Sequence, residues 1–232
     1  MSTVNLNPFL KALYALTSAR PEPAKPHQYR SPPKAKHSKR RYEIAMVGYG
    51  TQAFVISRHA GPHDPQLAQR VMSLPQRKCI SGGSTNLTAG IRLGLKLLQE
   101  RPSAEKTIVC LTDGHANEEL AQLPAVVEQA RRAGVTIHGL AMGRGFHGEQ
   151  LGKITHPTGG KVMLINDLRQ LGNALTEVGR TVVNQSRGRP AVMCLAIDYS
   201  GSMYEDAGGK TKLQQVSEAA SHLVRWFANN HA

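Results

Sequence analysis

The feature that most constrains the fold of this 232-residue chain is the alternation, from residue 42 onward, of apolar runs with longer amphipathic segments. Residues 106–111 and 191–197 are apolar runs in which polar residues do not alternate with apolar ones. Such strands are typical of a sheet that is covered on both faces. Strands separated by helices predict βαβ units. We therefore expect an α/β fold with a three-layer, doubly wound, mostly parallel sheet.

The sequence pattern also gives approximate bounds for the elements. The expected strands occupy residues 42–48, 51–57, 106–111, 135–142, 161–165 and 191–197. The expected helices occupy residues 64–73, 86–100, 120–133, 149–154, 168–184 and 212–229. In an open sheet of this kind, binding residues lie beyond the carboxyl ends of the strands. The segments that follow the strands are therefore where we expect function.

The first 41 residues differ in composition from the rest of the chain. The formal net charge is +13, and residues 20–41 contribute +7 of it, with eight Lys or Arg and one acidic residue. This stretch also contains five prolines and no apolar periodicity, which indicates an extended linker or arm. We therefore divide the chain into a short amphipathic segment (1–19), a basic proline-rich arm (20–41) and an α/β domain (42–232).

The basic arm has two interpretations. It is either a solubilising linker or a segment that makes electrostatic contact with an acidic surface, such as nucleic acid, anionic lipid or an acidic protein. Its few aromatic residues offer no stacking platform for single-stranded nucleic acid. The chain has no apolar run of transmembrane length, and its N-terminus does not resemble a secretory signal, so we expect a cytoplasmic location.

Hydroxyl and carboxyl side chains gather in three segments beside the expected strands. Residues 198–202 (DYSGS) and 112–114 (TDG) each follow a strand, and residues 81–85 (SGGST) precede a helix. Oxygen ligands without imidazole or thiolate favour Mg²⁺, Mn²⁺ or Ca²⁺ over zinc or copper. Asp198 and Asp113, at adjacent strand ends, would also repel each other without a cation. The sequence therefore predicts a divalent metal site.

These segments resemble the metal-ion-dependent adhesion site of von Willebrand factor type A domains. The likeness lies in D-x-S-x-S at 198–202, G-G-S-T-N-L-T-A-G-I at 82–91 and L-T-D-G at 111–114, and it covers residues 42–232. It implies a Rossmann-like fold. The metal ligands that it implies are Asp198, Ser200, Ser202, Thr85 and Asp113.

The resemblance also implies a function. Domains of this family bind proteins, and an acidic side chain of the partner commonly completes the metal shell. We therefore expect a non-enzymatic, Mg²⁺-dependent protein-binding domain, with Mn²⁺ or Ca²⁺ as alternative ions.

The order of the segments departs from the family pattern. The D-x-S-x-S strand and its helix come first in the family, whereas here they come last, at residues 191–232. This order indicates a circular permutation joined through residues 186–190, which short joins between close termini allow. We expect a monomer, or a dimer in which the 191–232 unit is exchanged between copies.

Other motifs support different functions. Gly143, Gly145 and Gly148 have the spacing of a dinucleotide-binding loop, with Asp167 about 20 residues on, but the expected helix after them is short. The alternative function is therefore a nucleotide- or nucleic-acid-binding protein that uses this loop or the basic arm.

A metal-dependent hydrolase would need a general base, for which His115 is the only candidate adjacent in sequence. Residues 208–211 (GGKT) lack the first glycine of a phosphate loop, which indicates a loop before the last helix.

Overall fold

The computed structural model describes residues 42–76, 84–114, 116–143 and 148–230. The chain divides into two units, residues 1–38 and 39–232, and the described residues all belong to the second unit. The amphipathic segment 1–19 and the basic arm 20–41 lie outside the described residues.

The elements of the described residues agree closely with the expected ones. The strands are β1 (Tyr42–Tyr49), β2 (Ala53–Ala60), β3 (Glu105–Thr112), β4 (Val135–Met142), β5 (Val162–Ile165) and β6 (Ala191–Asp198). The α-helices are α1 (Pro65–Met72), α2 (Leu87–Gln99), α3 (Leu123–Arg132), α4 (Gly148–Thr155), α5 (Leu171–Ser186) and α6 (Lys212–Asn230). Strand β2 begins two residues later than expected, because the N–H of Gly50 donates to the carbonyl of Gln52 (3.0 Å) in the connection before it.

The six strands form one sheet in the order β2-β1-β6-β3-β4-β5. Strand β2 pairs antiparallel with β1, and all other neighbours are parallel. The last strand in sequence, β6, therefore lies in the centre of the sheet, between β1 and β3. All eight residues of β6 are buried, which explains why its sequence is uniformly apolar up to its final aspartate.

Two apolar cores separate the sheet from its helical layers. Helices α1, α5 and α6 contribute to the core on one face, and α2, α3 and α4 contribute to the core on the other. Helix α6 buries Leu213, Val216, Leu223 and Phe227, at the spacing of one helix face. Burial of each of these side chains stabilises the fold by roughly 1.5–3 kcal/mol. The expected three-layer, doubly wound α/β fold is therefore confirmed.

None of the helices in the described part of the chain combines the length and the apolar character that crossing a bilayer requires.

Candidate functional site

The site begins where two central strands end side by side. Strands β3 and β6 are paired in parallel up to Leu111 and Ile197, so that Thr112 and Asp198 follow at the same edge of the sheet. The hydroxyl of Thr112 donates to Asp198 Oδ2 at 2.7 Å. The parallel register therefore brings together two residues that are 86 positions apart in the sequence.

Asp198 is fully buried, with a relative exposure of 0%. Its Oδ1 accepts a hydrogen bond from the N–H of Ser200 (2.8 Å), and its Oδ2 accepts the one from Thr112. Burial raises the pKa of this carboxyl from its usual 3.8 to about 6, and the charge of Asp113 adds to the shift, although the hydrogen bonds oppose it. Among the described residues, the groups that donate hydrogen bonds to the Asp198 carboxylate are therefore neutral.

The two serines after β6 connect Asp198 to Asp113. The Ser200 and Ser202 hydroxyls share a hydrogen bond of 3.1 Å, and the Ser202 hydroxyl donates to Asp113 Oδ1 at 2.8 Å. Ser200 directly precedes a 3₁₀ helix over Gly201–Tyr204, and Ser202 lies within it. We call Asp113, Asp198, Ser200 and Ser202 the oxygen cluster, since hydrogen bonds link these four residues.

Thr85 lies beside the oxygen cluster, on the loop before α2. A methyl group added to Gly114 would lie 3.7 Å from Thr85 Oγ1, so the Thr85 hydroxyl faces the loop that carries Asp113. Two hydrogen bonds fix this arrangement: the N–H of Thr85 donates to Asn117 Oδ1 (2.9 Å), and the N–H of Asn117 donates to the Thr85 carbonyl (3.2 Å). The structure therefore brings all five sequence-predicted residues to one edge of the sheet.

A polar network links the loops on this side of the site. Asn86 caps α2 by accepting from the N–H of Ala89 (2.9 Å), and its side-chain amide donates to Glu119 Oε1 (2.9 Å). Arg92 pairs with the other oxygen of Glu119 at 2.9 Å. The start of α2 and the loop after β3 are thereby held against each other, which fixes the position of Thr85.

Besides Thr112, sequence reasoning missed a second contact of the oxygen cluster: Lys212, the first residue of α6. Its ammonium donates to Asp113 Oδ2 at 2.7 Å and to Glu205 Oε2 at 3.1 Å. The side chain of Asp113 is 0% exposed and that of Lys212 is 17% exposed. Burial lowers the pKa of the Lys212 ammonium, but its hydrogen bonds to Asp113 and Glu205, together with the charges of these carboxylates, outweigh burial and the pKa is raised.

The segment before α6 explains why Lys212 points into the site. Gly208 and Gly209 both adopt positive φ angles, +88° and +86°, which favour glycine. Their N–H groups donate to Asp206 Oδ1 at 3.0 and 3.1 Å, and the turn closes through Ala207 N–H and the Lys210 carbonyl (2.8 Å). Residues 208–211, expected as a loop before the last helix, are thus part of a tight turn that brings Lys212 to Asp113.

Comparison with known proteins identifies the family of this fold. The sequence profile of the von Willebrand factor type A domain matches residues 32–190, which is more than half of the chain. The chain belongs to the von Willebrand factor type A domain family. The matched residues include Thr85 and Asp113 of this type A domain, and they end just before β6, which carries Asp198.

Solved structures give a weaker comparison. Seven chains match, among them the crystal structure of an uncharacterized membrane spanning protein from Vibrio fischeri. It is 17% identical over 60% of this chain and 76% of its own, with a TM-score of 0.33, which is too low to support an argument about the type A domain. No curated protein matches the chain.

The donor set of the type A domain fits a hard divalent ion. The oxygen cluster offers two carboxylates and two hydroxyls, and Thr85 adds a third hydroxyl beside them, all of which suit Mg²⁺, Mn²⁺ or Ca²⁺. Among the described residues, no group of three or more His, Cys, Asp or Glu side chains is placed to hold a metal ion. A site here would therefore depend on the hydroxyls, and the assignment of the five ligands stays a prediction.

The residues of the dinucleotide alternative are arranged differently. Residues 144–147 of the glycine-rich loop lie outside the described residues, and the helix that follows, α4, has only eight residues. The acidic residue that such a site would need for a ribose, Asp167, is instead bound by the Arg169 guanidinium through both of its oxygens, at 2.9 and 2.8 Å. His115, the candidate general base of a hydrolase, lies outside the described residues.

Proposed function

We propose that this type A domain binds a partner protein, without catalysing a reaction, through a divalent ion at the oxygen cluster. The ion is Mg²⁺, with Mn²⁺ and Ca²⁺ as alternatives. The ligands are Asp198, Ser200, Ser202, Thr85 and Asp113. The observation that carries this proposal is the set of hydrogen bonds that gathers two buried carboxylates around two serines: Asp198 accepts from the Ser200 N–H, the Ser200 and Ser202 hydroxyls are bonded to each other, and the Ser202 hydroxyl donates to Asp113.

The carboxylates and the hydroxyls of the site have different roles. Asp198 and Asp113 supply negative charge, and both side chains are shielded from water, which strengthens their attraction for a cation. The serine and threonine hydroxyls supply neutral oxygen atoms that add no further negative charge. A bound divalent ion would supply a Lewis-acidic position for one more oxygen ligand. An exposed Asp or Glu of the partner suits that position, because a carboxylate oxygen is a hard ligand of the kind that Mg²⁺ prefers.

A comparison of divalent-ion conditions tests this proposal. Partner capture from the organism's extract in Mg²⁺ should be lost in EDTA, and Asp198→Ala should abolish it while the domain stays folded. Glu177→Ala is the matched control, since Glu177 is an exposed acidic residue on α5, away from the oxygen cluster. Capture that is unchanged by EDTA and by Asp198→Ala would refute the metal bridge.

Salt dependence separates this function from the nucleic-acid alternative. A metal–carboxylate bridge predicts sensitivity to EDTA and a shallow fall of log K with log salt. Contact of the basic arm with phosphates predicts a steep fall instead, because each neutralised phosphate releases a counterion. A steep, EDTA-insensitive response would favour the nucleic-acid alternative.

We also propose that the domain is circularly permuted relative to the family. Three observations support this: the family match ends at residue 190, β6 lies in the centre of the sheet, and the Tyr42 and Phe227 rings are 5.5 Å apart. The end of α6 thus lies beside the start of β1, where an unpermuted chain would join them. The 191–232 unit either completes its own sheet, giving a monomer, or completes that of a second copy, giving a swapped dimer.

A reordered chain tests the permutation. We expect a chain that begins at residue 191, joins residue 230 to residue 42 through a short glycine-serine linker and ends at residue 188 to fold as a monomer with unchanged Mg²⁺ affinity. Light scattering of the natural chain distinguishes its monomer from the swapped dimer. A reordered chain that does not fold would contradict the permutation.

A further inference from the structure

Lys212 is placed where an ordinary helix would not have a cation. It is the first residue of α6, and the amino end of a helix carries partial positive charge, which disfavours an ammonium group. The position is tolerated because Asp113 and Glu205 accept hydrogen bonds from the Lys212 ammonium at 2.7 and 3.1 Å. The two-glycine turn before α6 fixes this geometry. Lys212 is therefore held in place by acidic partners at the site.

Both carboxylate oxygens of Asp113 accept hydrogen bonds. Its Oδ1 accepts from the Ser202 hydroxyl and its Oδ2 accepts from Lys212. A divalent ion that used Asp113 would have to share this carboxylate with an ammonium group, or the ammonium would have to leave. Two cations at one shielded carboxylate repel each other strongly, since the surroundings exclude water.

Glu205 offers the Lys212 ammonium an alternative position. Its side chain is 66% exposed, whereas that of Asp113 is fully covered, so the two acceptors lie at the outside and the inside of the site. The ammonium already contacts both. Rotation of the lysine toward Glu205 would free Asp113 Oδ2 without leaving the ammonium unpaired.

We propose that Lys212 is a positioning residue that sets the ion affinity of the oxygen cluster. Its ammonium holds Asp113 in place when no divalent ion is bound, and it weakens ion binding by competing for that carboxylate. This inference rests on the proposed function, because it concerns the same ion. It adds that ion binding is coupled to the transfer of Lys212 from Asp113 to Glu205, at the start of α6.

A neighbouring lysine provides a matched control. Lys210 lies two residues earlier and pairs with Glu218 at 2.6 Å, but both of these side chains are at least half exposed. Lys210→Met and Lys212→Met remove the same charge from the same turn. Only Lys212→Met removes a cation from the oxygen cluster, so any general effect of net charge is common to the two variants.

The experiment measures Mn²⁺ binding to the full chain by loss of the free-ion signal in electron paramagnetic resonance. Lys212→Met should bind Mn²⁺ about tenfold more tightly than the wild type, Lys210→Met should stay within about twofold, and Lys212→Arg should restore the wild-type affinity. Lys212→Gln is a second charge-removing variant, used if the methionine variant does not fold. Urea unfolding in EDTA should show the charge-removing Lys212 variants to be less stable than the wild type, and saturating Mg²⁺ should remove this difference.

A purely structural lysine would not give both effects, because loss of a structural contact would weaken the domain with and without the ion. Equal or weaker Mn²⁺ binding by Lys212→Met, or an equal gain in Lys210→Met, would overturn this inference and leave the proposed function intact. No Mn²⁺ binding by the wild type or any variant would overturn the proposed function, and this inference with it.

Discussion

The ends of β6 and β3 each carry a buried aspartate, and the two aspartates are stabilised in different ways. Among the described residues, Asp198, on β6, accepts hydrogen bonds from neutral groups, which include the N–H of Ser200 and the Thr112 hydroxyl. Asp113, just after β3, accepts from the Ser202 hydroxyl and from the Lys212 ammonium. Both side chains are 0% exposed.

The two aspartates differ in whether a positive charge lies beside them. Among the described residues, the negative charge of Asp113 is paired with the Lys212 ammonium, whereas Asp198 has no cationic partner. This difference explains why burial raises the pKa of Asp198 to about 6. A divalent ion would therefore be attracted most strongly by the Asp198 carboxylate. Its attraction to the Asp113 carboxylate would be weaker while the Lys212 ammonium contacts Asp113.

The largest effect is expected from removing the uncompensated charge. In EDTA at pH 7.5, Asp198→Asn should be more stable to urea than the wild type by about 3 kcal/mol, the free energy that corresponds to the raised pKa of Asp198. Protonation of Asp198 relieves the cost of its buried charge in the folded wild type. This stabilisation is complete below pH 3.8 and is lost as the pH rises through about 6. The advantage of the variant should therefore shrink to a small value near pH 4.

A variant that is less stable than the wild type at pH 7.5, or a difference that does not change with pH, would contradict this account of Asp198. Comparing two proteins at each pH cancels the contributions of other groups, such as His138, whose pKa is lowered mainly by burial.

The opposite sign is expected at Asp113. In EDTA, Asp113→Asn should lower the free energy of unfolding by about 2 kcal/mol, because Lys212 loses a charged, shielded partner and keeps only the exposed Glu205. Urea unfolding at pH 7.5 measures this decrease in the free energy of unfolding, next to the increase expected for Asp198→Asn. Changes of the same sign in the two variants would show that the two aspartates do not differ as we describe.

A smaller effect is expected at Thr112. Thr112→Val keeps the shape of the side chain but removes the hydroxyl that donates to Asp198 and accepts from the N–H of Gly114 (3.2 Å), and should cost about 1 kcal/mol in EDTA at pH 7.5. The pKa of Asp198 should also rise further, because the hydrogen bond from Thr112 lowers it. The pH dependence of stability, measured against the wild type, should therefore move to higher pH; an unchanged profile would exclude this role for Thr112.

The sequence predicted most of the fold because the signals of the strands and helices are local. Strand β4 has the expected bounds, and helix α6 extends only one residue beyond them at its end. The serine and aspartate residues of the oxygen cluster were predicted by their position after apolar strands and by the family resemblance. Placing them required only that β3 and β6 end at the same edge of the sheet.

The sequence did not predict the roles of Thr112 and Lys212. Their contacts join residues 86 and 99 positions apart, and they depend on strand register and on the direction of a turn. Gly208 and Gly209 indicated a turn, but the sequence did not show which side chain that turn would bring to the site. Thr112 was visible in the L-T-D-G motif, yet only the structure pairs its hydroxyl with Asp198.

The most direct test of the central claim is the anomalous scattering of crystals of the domain soaked in Mn²⁺. We expect one strong anomalous peak in contact with the hydroxyls of Ser200 and Ser202, beside Asp198, and no such peak in crystals of Asp198→Ala treated in the same way. A peak elsewhere on the domain, or no peak at the oxygen cluster at an Mn²⁺ concentration that saturates binding in solution, would contradict it.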